Sequence, residues 1–212
     1  EEWRTFAPPM KILEHAQEIR RRLLMAMEQA EQTPDTAARK FLQTVVIVGG
    51  GATGCEMAGA TSELMRNAMR REFKQLNPDD SRIIVIDPGD RLLRAMTESL
   101  SASAQKTLES LGVVTLFKGR DQSMQPGEVT VGTPDGEQTI QAATVIWTAG
   151  VRPSHLGKTL AGSIDCELDR CGRVIVEPDF SVKDHPEIRV VGDLCSYKHT
   201  STGNPLPGMA GP

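Results

Sequence analysis

An α/β fold built on a buried parallel sheet is what this sequence predicts, and three observations predict it. Short unbroken apolar runs rich in β-branched residues, Thr44-Val45-Val46-Ile47-Val48 and Arg82-Ile83-Ile84-Val85-Ile86-Asp87, have the pattern of strands covered on both faces. These runs alternate with stretches in which apolar residues recur every three to four positions, the period of an amphipathic helix. The glycine-rich segment Gly49-Gly50-Gly51-Ala52-Thr53-Gly54 joins the first strand directly to a long helical stretch.

Composition bounds the alternatives. The chain has 212 residues, 24 Lys+Arg against 28 Asp+Glu and a net charge of −4, with 39% hydrophobic and 25% charged residues. That balance is globular rather than disordered. Excess positive charge for displacing counterions is lacking, and aromatics are only 4%, so no nucleic-acid partner is expected. No run of about 18 apolar residues offers a membrane span. The start, Glu1-Glu2-Trp3-Arg4, lacks the pattern of a secretory signal. With no initial Met and a Gly/Pro-rich stretch over 203–212, the chain is expected to be an internal piece of a longer one.

In chain order, residues 10–30 form an expected helix after Pro8-Pro9, with Ile12, Ala16, Ile19, Leu23, Met27 and Ala30 on one face. Its Arg20-Arg21-Arg22 triplet reads as a solvated face, or else as an anion or lipid patch. Thr33-Pro34-Asp35 breaks the pattern. After the first strand and the glycine loop, a helix is predicted from about Thr53 to Leu76, closed by Asn77-Pro78. The second strand ends at Pro88-Gly89. Residues 97–111 form a further helix with Leu100, Ala104, Leu108 and Leu111 on one side and Gly112 as its stop, followed by a strand at 113–117. Between Lys118 and Gln141, strand-like pieces flank the turn Pro134-Asp135-Gly136 and predict an antiparallel hairpin or meander inserted between parallel strands. Thr144-Val145-Ile146-Trp147 is the next buried strand. A hairpin at about 167–177 and a strand at 188–191 lead to Gly192-Asp193. Three segments are expected: a helical linker at 1–42, a dinucleotide domain at 43–160 and a further segment at 161–212.

The Gly-x-Gly-x-x-Gly pattern gains meaning from its place between a strand and a helix, the context of a Rossmann-like FAD/NAD(P)-binding domain. Gly49 permits the tight turn, Gly51 lets the backbone approach a pyrophosphate, and Gly54, with Ala58 four residues on, lets the helix pack closely. The N–H groups from Gly49 through Gly50, Gly51, Ala52, Thr53 and Gly54 then face the phosphates of NADH at a helix N-terminus. Without a ligand, the same pattern is only a glycine-rich turn. Asp87 ends the second strand, where a carboxylate accepts adenosine ribose hydroxyls and repels a 2′-phosphate, favouring NADH over NADPH. It lies 33 residues after Gly54, more than the usual spacing of about 20, which a long intervening helix accounts for. The alternative for Asp87 is a turn with Pro88-Gly89. Arg91 and Arg94 stand close enough in sequence to hold a 2′-phosphate.

Several runs together resemble type II NADH dehydrogenases, the single-chain flavin enzymes that pass electrons from NADH to quinone. They are Ala7-Pro8-Pro9-Met10-Lys11, Glu18-Ile19-Arg20-Arg21-Arg22-Leu23-Leu24, the loop 49–54, Glu98-Ser99-Leu100-Ser101, Val145-Ile146-Trp147-Thr148-Ala149-Gly150-Val151, Gly172-Arg173-Val174, Val191-Gly192-Asp193 and Pro205-Leu206-Pro207-Gly208. The resemblance implies that Gly49, Gly51 and Gly54 are the NADH motif, and that Glu56 lies near the nicotinamide; otherwise Glu56 only complements the helix dipole. It further implies that Ala149 and Gly150 lie along the dinucleotide. Gly192 and Asp193 would contact FAD in the full-length protein, and Leu206-Pro207-Gly208 would approach the flavin ring. By the same resemblance, the remaining partners are the rest of the flavin domain, quinone, and a membrane surface reached peripherally through a C-terminal region, on the cytoplasmic side. The chain alone is expected to bind dinucleotide, to hold no FAD tightly and not to turn over, since the cofactors carry the redox chemistry.

Two other readings stand beside this one: another two-dinucleotide flavin enzyme, of the ferredoxin or disulfide reductase type, and a non-catalytic NAD-sensing module. Cys55, Cys166, Cys171 and Cys195 lack zinc or thioredoxin spacing. The four-residue gap between Cys166 and Cys171 occurs in redox disulfides, but reduced thiols on a surface hairpin are the expectation. His15, His155, His185 and His199 do not cluster, and no metal site is predicted.

Overall fold

A computed structural model describes residues 5–133, 136–150 and 153–199, with Gly203 and Leu206. Elements follow in the order α1 (Leu13–Gln32), α2 (Thr36–Leu42), β1 (Thr44–Val48), α3 (Ala52–Glu72), β2 (Arg82–Asp87), α4 (Glu98–Ser110), β3 (Val113–Phe117), β4 (Arg120–Gln125), β5 (Glu128–Thr133), β6 (Gly136–Gln141) and β7 (Thr144–Trp147). After these come α5 (Leu156–Ser163), β8 (Val174–Ile175), β9 (Ser181–Val182), β10 (His185–Arg189) and β11 (Cys195–Ser196).

The four apolar runs make one parallel sheet in the order β3-β2-β1-β7, with Val46 level with Ile84 on one side and Val145 on the other. All five residues of β1 are buried, as an unbroken apolar run requires. Because strand side chains alternate, the two faces fill differently. Val45 and Ile47 point into a core with Ile19, Leu23, Met27 and Met65 from α1 and α3. Val46 and Val48 meet Val129, Val131 and Ile140 of the antiparallel β4-β5-β6 sheet on the opposite face. Each such side chain contributes roughly 1.5–3 kcal/mol when fully buried. The α/β expectation holds, and the inserted antiparallel piece is a three-stranded meander, β4-β5-β6. The predicted turn residues Pro134 and Asp135 lie outside the described residues.

Residues 8–10 extend this sheet beyond β7: the Trp147 N–H donates to Pro8 O at 3.0 Å and the Met10 N–H to Trp147 O at 3.3 Å. Proline suits this sheet edge, where a missing N–H leaves no ladder bond unmade. Arg22 pins the preceding turn, donating from Nη1 to Phe6 O (2.9 Å) and from Nη2 to Thr5 O (2.8 Å). Its Nε and that of Arg21 both reach the Glu18 carboxylate. Arg22 is therefore an internal clamp, while Arg20 and Arg21 lie on the expected solvated face, the Arg21 side chain 63% exposed. These hydrogen bonds from Arg21 and Arg22 hold the Glu18 carboxyl down to about 2, from an ordinary value of 4.5. A carboxyl lowered on folding stabilises fully above its ordinary value and loses that contribution as pH falls through the folded value. We expect Glu18→Gln to lower the melting temperature by a constant amount above about pH 5, with the difference closing toward about pH 2. Melting curves across that range check this, and a gap unchanged at the acid end would refute it.

Four local expectations differ in detail. Helix α2 differs from the expectation: its seven residues, about two turns, carry no apolar stripe, but Asp35 caps it by accepting the Ala37 N–H at 2.9 Å. Helix α3 stops at Glu72, while Leu76 still buries in the core beyond it. On α4 the inward face is Ser101 and Leu108, seven residues apart, and Leu100 is 54% exposed. Ser101 earns its place by donating to Leu92 O at 2.6 Å. The strand expected at 188–191 ends at Arg189, and Val191 points to solvent.

The chain divides into two compact units, Glu1–Gly150 and Val151–Pro212. The expected segments 1–42, 43–160 and 161–212 cut these units differently, because the apolar stripe of α1 packs into the first core. In the second unit, α5, unforeseen from sequence, belongs with a small core of Val174, Val182, Val190 and Cys195. Its strands pair as β9 with β10, antiparallel, and β8 with β11, parallel. The expected hairpin forms where Leu168 bridges Val174 and Asp169 accepts the N–H groups of Cys171 and Arg173.

Candidate dinucleotide site

The loop after β1 divides into two halves by hydrogen bonding. Gly49, at φ +114°, donates its N–H to Ile86 O at 2.8 Å, and a Cβ there would press on Ala149 N at 2.8 Å. The Gly50 N–H donates to Asp87 Oδ2 at 2.7 Å, while its carbonyl accepts from the Leu93 N–H at 2.8 Å. Gly51 caps α3 in an extended conformation, and the helical ladder begins with the Cys55 N–H on Gly51 O at 3.0 Å. Among the described residues, no chain acceptor takes the N–H groups of Gly51, Ala52, Thr53 or Gly54. The expected cup of six amides is thus corrected to four. Gly49 and Gly50 shape it, and residues 51–54 present the donors of a 21-residue helix, where partial positive charge gathers. A Cβ on Gly51 would meet nothing within 4 Å, so the space beside the first residue of this row is open. A Cβ on Gly54 would collide with the Gly49 carbonyl oxygen, so close packing of helix on turn demands glycine there.

Asp87 is buried at the end of β2 and braces the loop. Its Oδ2 accepts from Gly50 and its Oδ1 from the Gly89 N–H, both at 2.7 Å. The turn with Pro88-Gly89 is therefore realised. Each carboxylate oxygen keeps a further lone pair, so an additional donor can be accepted. Arg91 is engaged elsewhere, donating to Met96 O and Arg94 O. Arg94 Nε lies 3.8 Å from Asp87 Oδ1.

The end of β7 lies against the same loop. Thr148 Oγ1 donates to Val48 O at 2.9 Å, and Trp147 Nε1 to Ala149 O at 2.6 Å. Ala149 stands beside Gly49, and Gly150, at φ +64°, has open space where a side chain would be. With β2 on one side of β1 and β7 on the other, this crevice is the point where strand order reverses, the usual ligand position in open α/β sheets. The structure thus brings together Gly49–Gly54, Asp87, Ala149 and Gly150. The Thr148 latch was not foreseen; only its position after a buried strand marked it.

Glu56 is the fifth residue of α3, exposed and past the first turn, so the dipole-complementing alternative is set aside. Beside it, burial and then the charges of Asp87 and Glu56 push the Cys55 thiol up to about 11, leaving it without reactive thiolate. Gly192 and Asp193 belong to the second unit, in a short 3-10 turn with Gly192 at φ +71° and Asp193 exposed. Of the expected flavin-ring segment, Leu206 donates its N–H to Tyr197 O, whereas Pro207 and Gly208 lie outside the described residues. All four cysteines are free thiols, and the described residues contain no cluster of metal-ligating side chains. No described helix is long and apolar enough to cross a membrane.

A glycine turn into a helix at the switch point of a parallel sheet is the architecture of the dinucleotide-binding α/β proteins. Within that class, the chain belongs to the pyridine nucleotide-disulphide oxidoreductase family, whose profile matches residues 7–205. It is similar to the type II NADH:quinone oxidoreductase NdhA of Mycobacterium tuberculosis, at 41% identity over 92% of this chain and 42% of the relative. A second relative from that organism, the type II NADH:quinone oxidoreductase Ndh, is 37% identical over 97% of this chain and 43% of its own length. In fold it matches NDH2 from Plasmodium falciparum in complex with NADH, with a TM-score of 0.77 at 18% identity, over 92% of this chain and 41% of that one. The chain therefore spans less than half the length of these relatives.

Proposed function

We propose that this chain is the NADH-binding portion of a type II NADH:quinone oxidoreductase. The observation that carries the reading is the row of four unbonded amides at 51–54, opening at the switch point of the sheet. They would take the pyrophosphate, whose charge the start of α3 favours. Asp87, held in place by Gly50 and Gly89, would accept the adenosine ribose hydroxyls. Ala149 and Gly150 would line the path of the dinucleotide, and Glu56 would stand at the nicotinamide end. FAD held by the complete enzyme would supply the redox chemistry that links NADH oxidation to quinone reduction. This chain's part is to bind and orient the nicotinamide donor. Gly192, where an added Cβ would meet nothing within 4 Å, and the exposed Asp193 fit a contact to FAD. The rest of the flavin site, the quinone site and a peripheral membrane surface would come from elsewhere in the enzyme.

Calorimetric titration with NADH tests the site. Asp87→Ala should weaken binding by about tenfold or more, since hydrogen bonds to a charged group contribute roughly 1.5–3 kcal/mol. It should also lower stability, by about 1–3 kcal/mol for each of the two amides it leaves bare. Absence of NADH binding by the unmodified chain, or unchanged affinity in the variant, would refute the assignment.

A further inference from the structure

Hydrogen bonds fix the way the chain leaves β7. The backbone of Trp147 holds residues 8–10 on the sheet edge, and the Thr148 N–H donates to Val48 O at 2.9 Å. The Thr148 hydroxyl lies within hydrogen-bond distance of both Val48 O and Gly49 O, at 2.9 and 3.1 Å. The indole of Trp147 then donates forward along the chain, from Nε1 to Ala149 O at 2.6 Å.

An indole has one donor and no acceptor, and the ring here packs against the core that β1 shares with the β4-β5-β6 sheet. Swinging the ring out would cost that packing and leave a half-buried donor without its partner. The Ala149 carbonyl is therefore drawn toward the antiparallel-sheet face. A trans peptide is planar, with its N–H opposite its C=O, so the Gly150 N–H is directed to the other face. That is the face on which α3 packs, with the amides at 51–54 at its start. Among the described residues no chain acceptor takes the Gly150 N–H; Gly150 is exposed, and a Cβ there would meet nothing within 4 Å.

We propose that Trp147 is a positioning residue of the dinucleotide site: by holding Ala149 O, its indole turns the Gly150 N–H into a further donor for the nicotinamide half of NADH. The inference rests on the dinucleotide reading of the loop at 51–54 and deepens it. Strands β2 and β7 flank β1 on opposite sides. With the pyrophosphate on α3 and the adenosine ribose on Asp87 at the end of β2, the nicotinamide half falls at the end of β7, where Gly150 stands. The donor at Gly150 therefore serves that half and not the adenosine half.

The test is a parallel titration with NADH and with ADP, which carries the adenosine and the two phosphates but no nicotinamide half, on the unmodified chain and on Trp147→Phe. The variant keeps a ring in the core and removes the donor. It should weaken NADH by about threefold to tenfold and ADP by less than about twofold. In proton–nitrogen NMR spectra of the unmodified chain, the Gly150 amide should shift on addition of NADH and stay in place with ADP, and Trp147→Phe should shrink the NADH-induced shift. Equal weakening of both ligands or of neither overturns the proposal and leaves the site reading standing. So does a Gly150 amide that NADH leaves unmoved while the amides at 51–54 shift, a result that needs no variant and decides the matter even if Trp147→Phe does not fold. If neither ligand binds the unmodified chain, both fall.

Discussion

Gly51→Val should abolish measurable NADH binding and leave the protein folded. Gly51 has φ −76° and ψ −173°, extended backbone open to any residue, and a side chain there would touch nothing in the chain. Valine is a poor helix cap, so a cost of up to about 1 kcal/mol is expected, a fall of roughly 2–4 °C in melting temperature. Its two methyl groups would occupy the space in front of the amides of residues 52–54. A diphosphate excluded from two such amides loses roughly 3 kcal/mol or more, at least about a hundredfold in affinity. A melting curve together with a titration separates fold from function. A folded Gly51→Val protein that binds NADH normally would show that these amides are not the phosphate site.

Gly54→Ala should fail in the opposite manner, through the fold. The added methyl would run into the Gly49 carbonyl oxygen and come within 2.9 Å of Thr148 Oγ1. Neither can retreat freely: the Gly49 N–H is bonded to Ile86 O, and Thr148 Oγ1 to Val48 O. Helix α3 must lift from the turn, taking Met65 and Ala58 partly out of the core they share with β1. The cost should reach about 3 kcal/mol, at the upper end for overpacking, and lower the melting temperature by roughly 6–12 °C. Thermal unfolding checks it. A variant as stable as the parent would mean that the close helix–turn approach is not what glycine serves at this position.

These two glycines show how the site was legible in sequence and where legibility stopped. The pattern marked both, because a strand, a glycine turn and a helix lie in a row, and each signal is local. That Gly51 faces open space while Gly54 faces the carbonyl of Gly49 was implied by the motif. That Gly49 and Gly50 have their amides bonded within the chain was not, since Ile86 and Asp87 approach them from a strand more than thirty residues away. Asp87 was read as a ligand or as a turn residue. It makes the turn, and it adds a bond to Gly50 that neither alternative contained. The stripe on α4 misled for a related reason: its apolar spacing did not reveal that Ser101 would turn inward to reach Leu92.

What the sequence determined by itself is the set of buried strands, the helices between them and the glycine turn, because period, β-branching and backbone freedom are properties of neighbouring residues. Only the tertiary structure decided which amides remain open, which carboxylate oxygens are occupied, and that Arg94 and Ala149 stand at the same crevice. Those outcomes depend on strand order, with β2 and β7 laid on either side of β1. Strand order is set by how two different faces of one sheet are buried at once, and no local stretch of the chain encodes that.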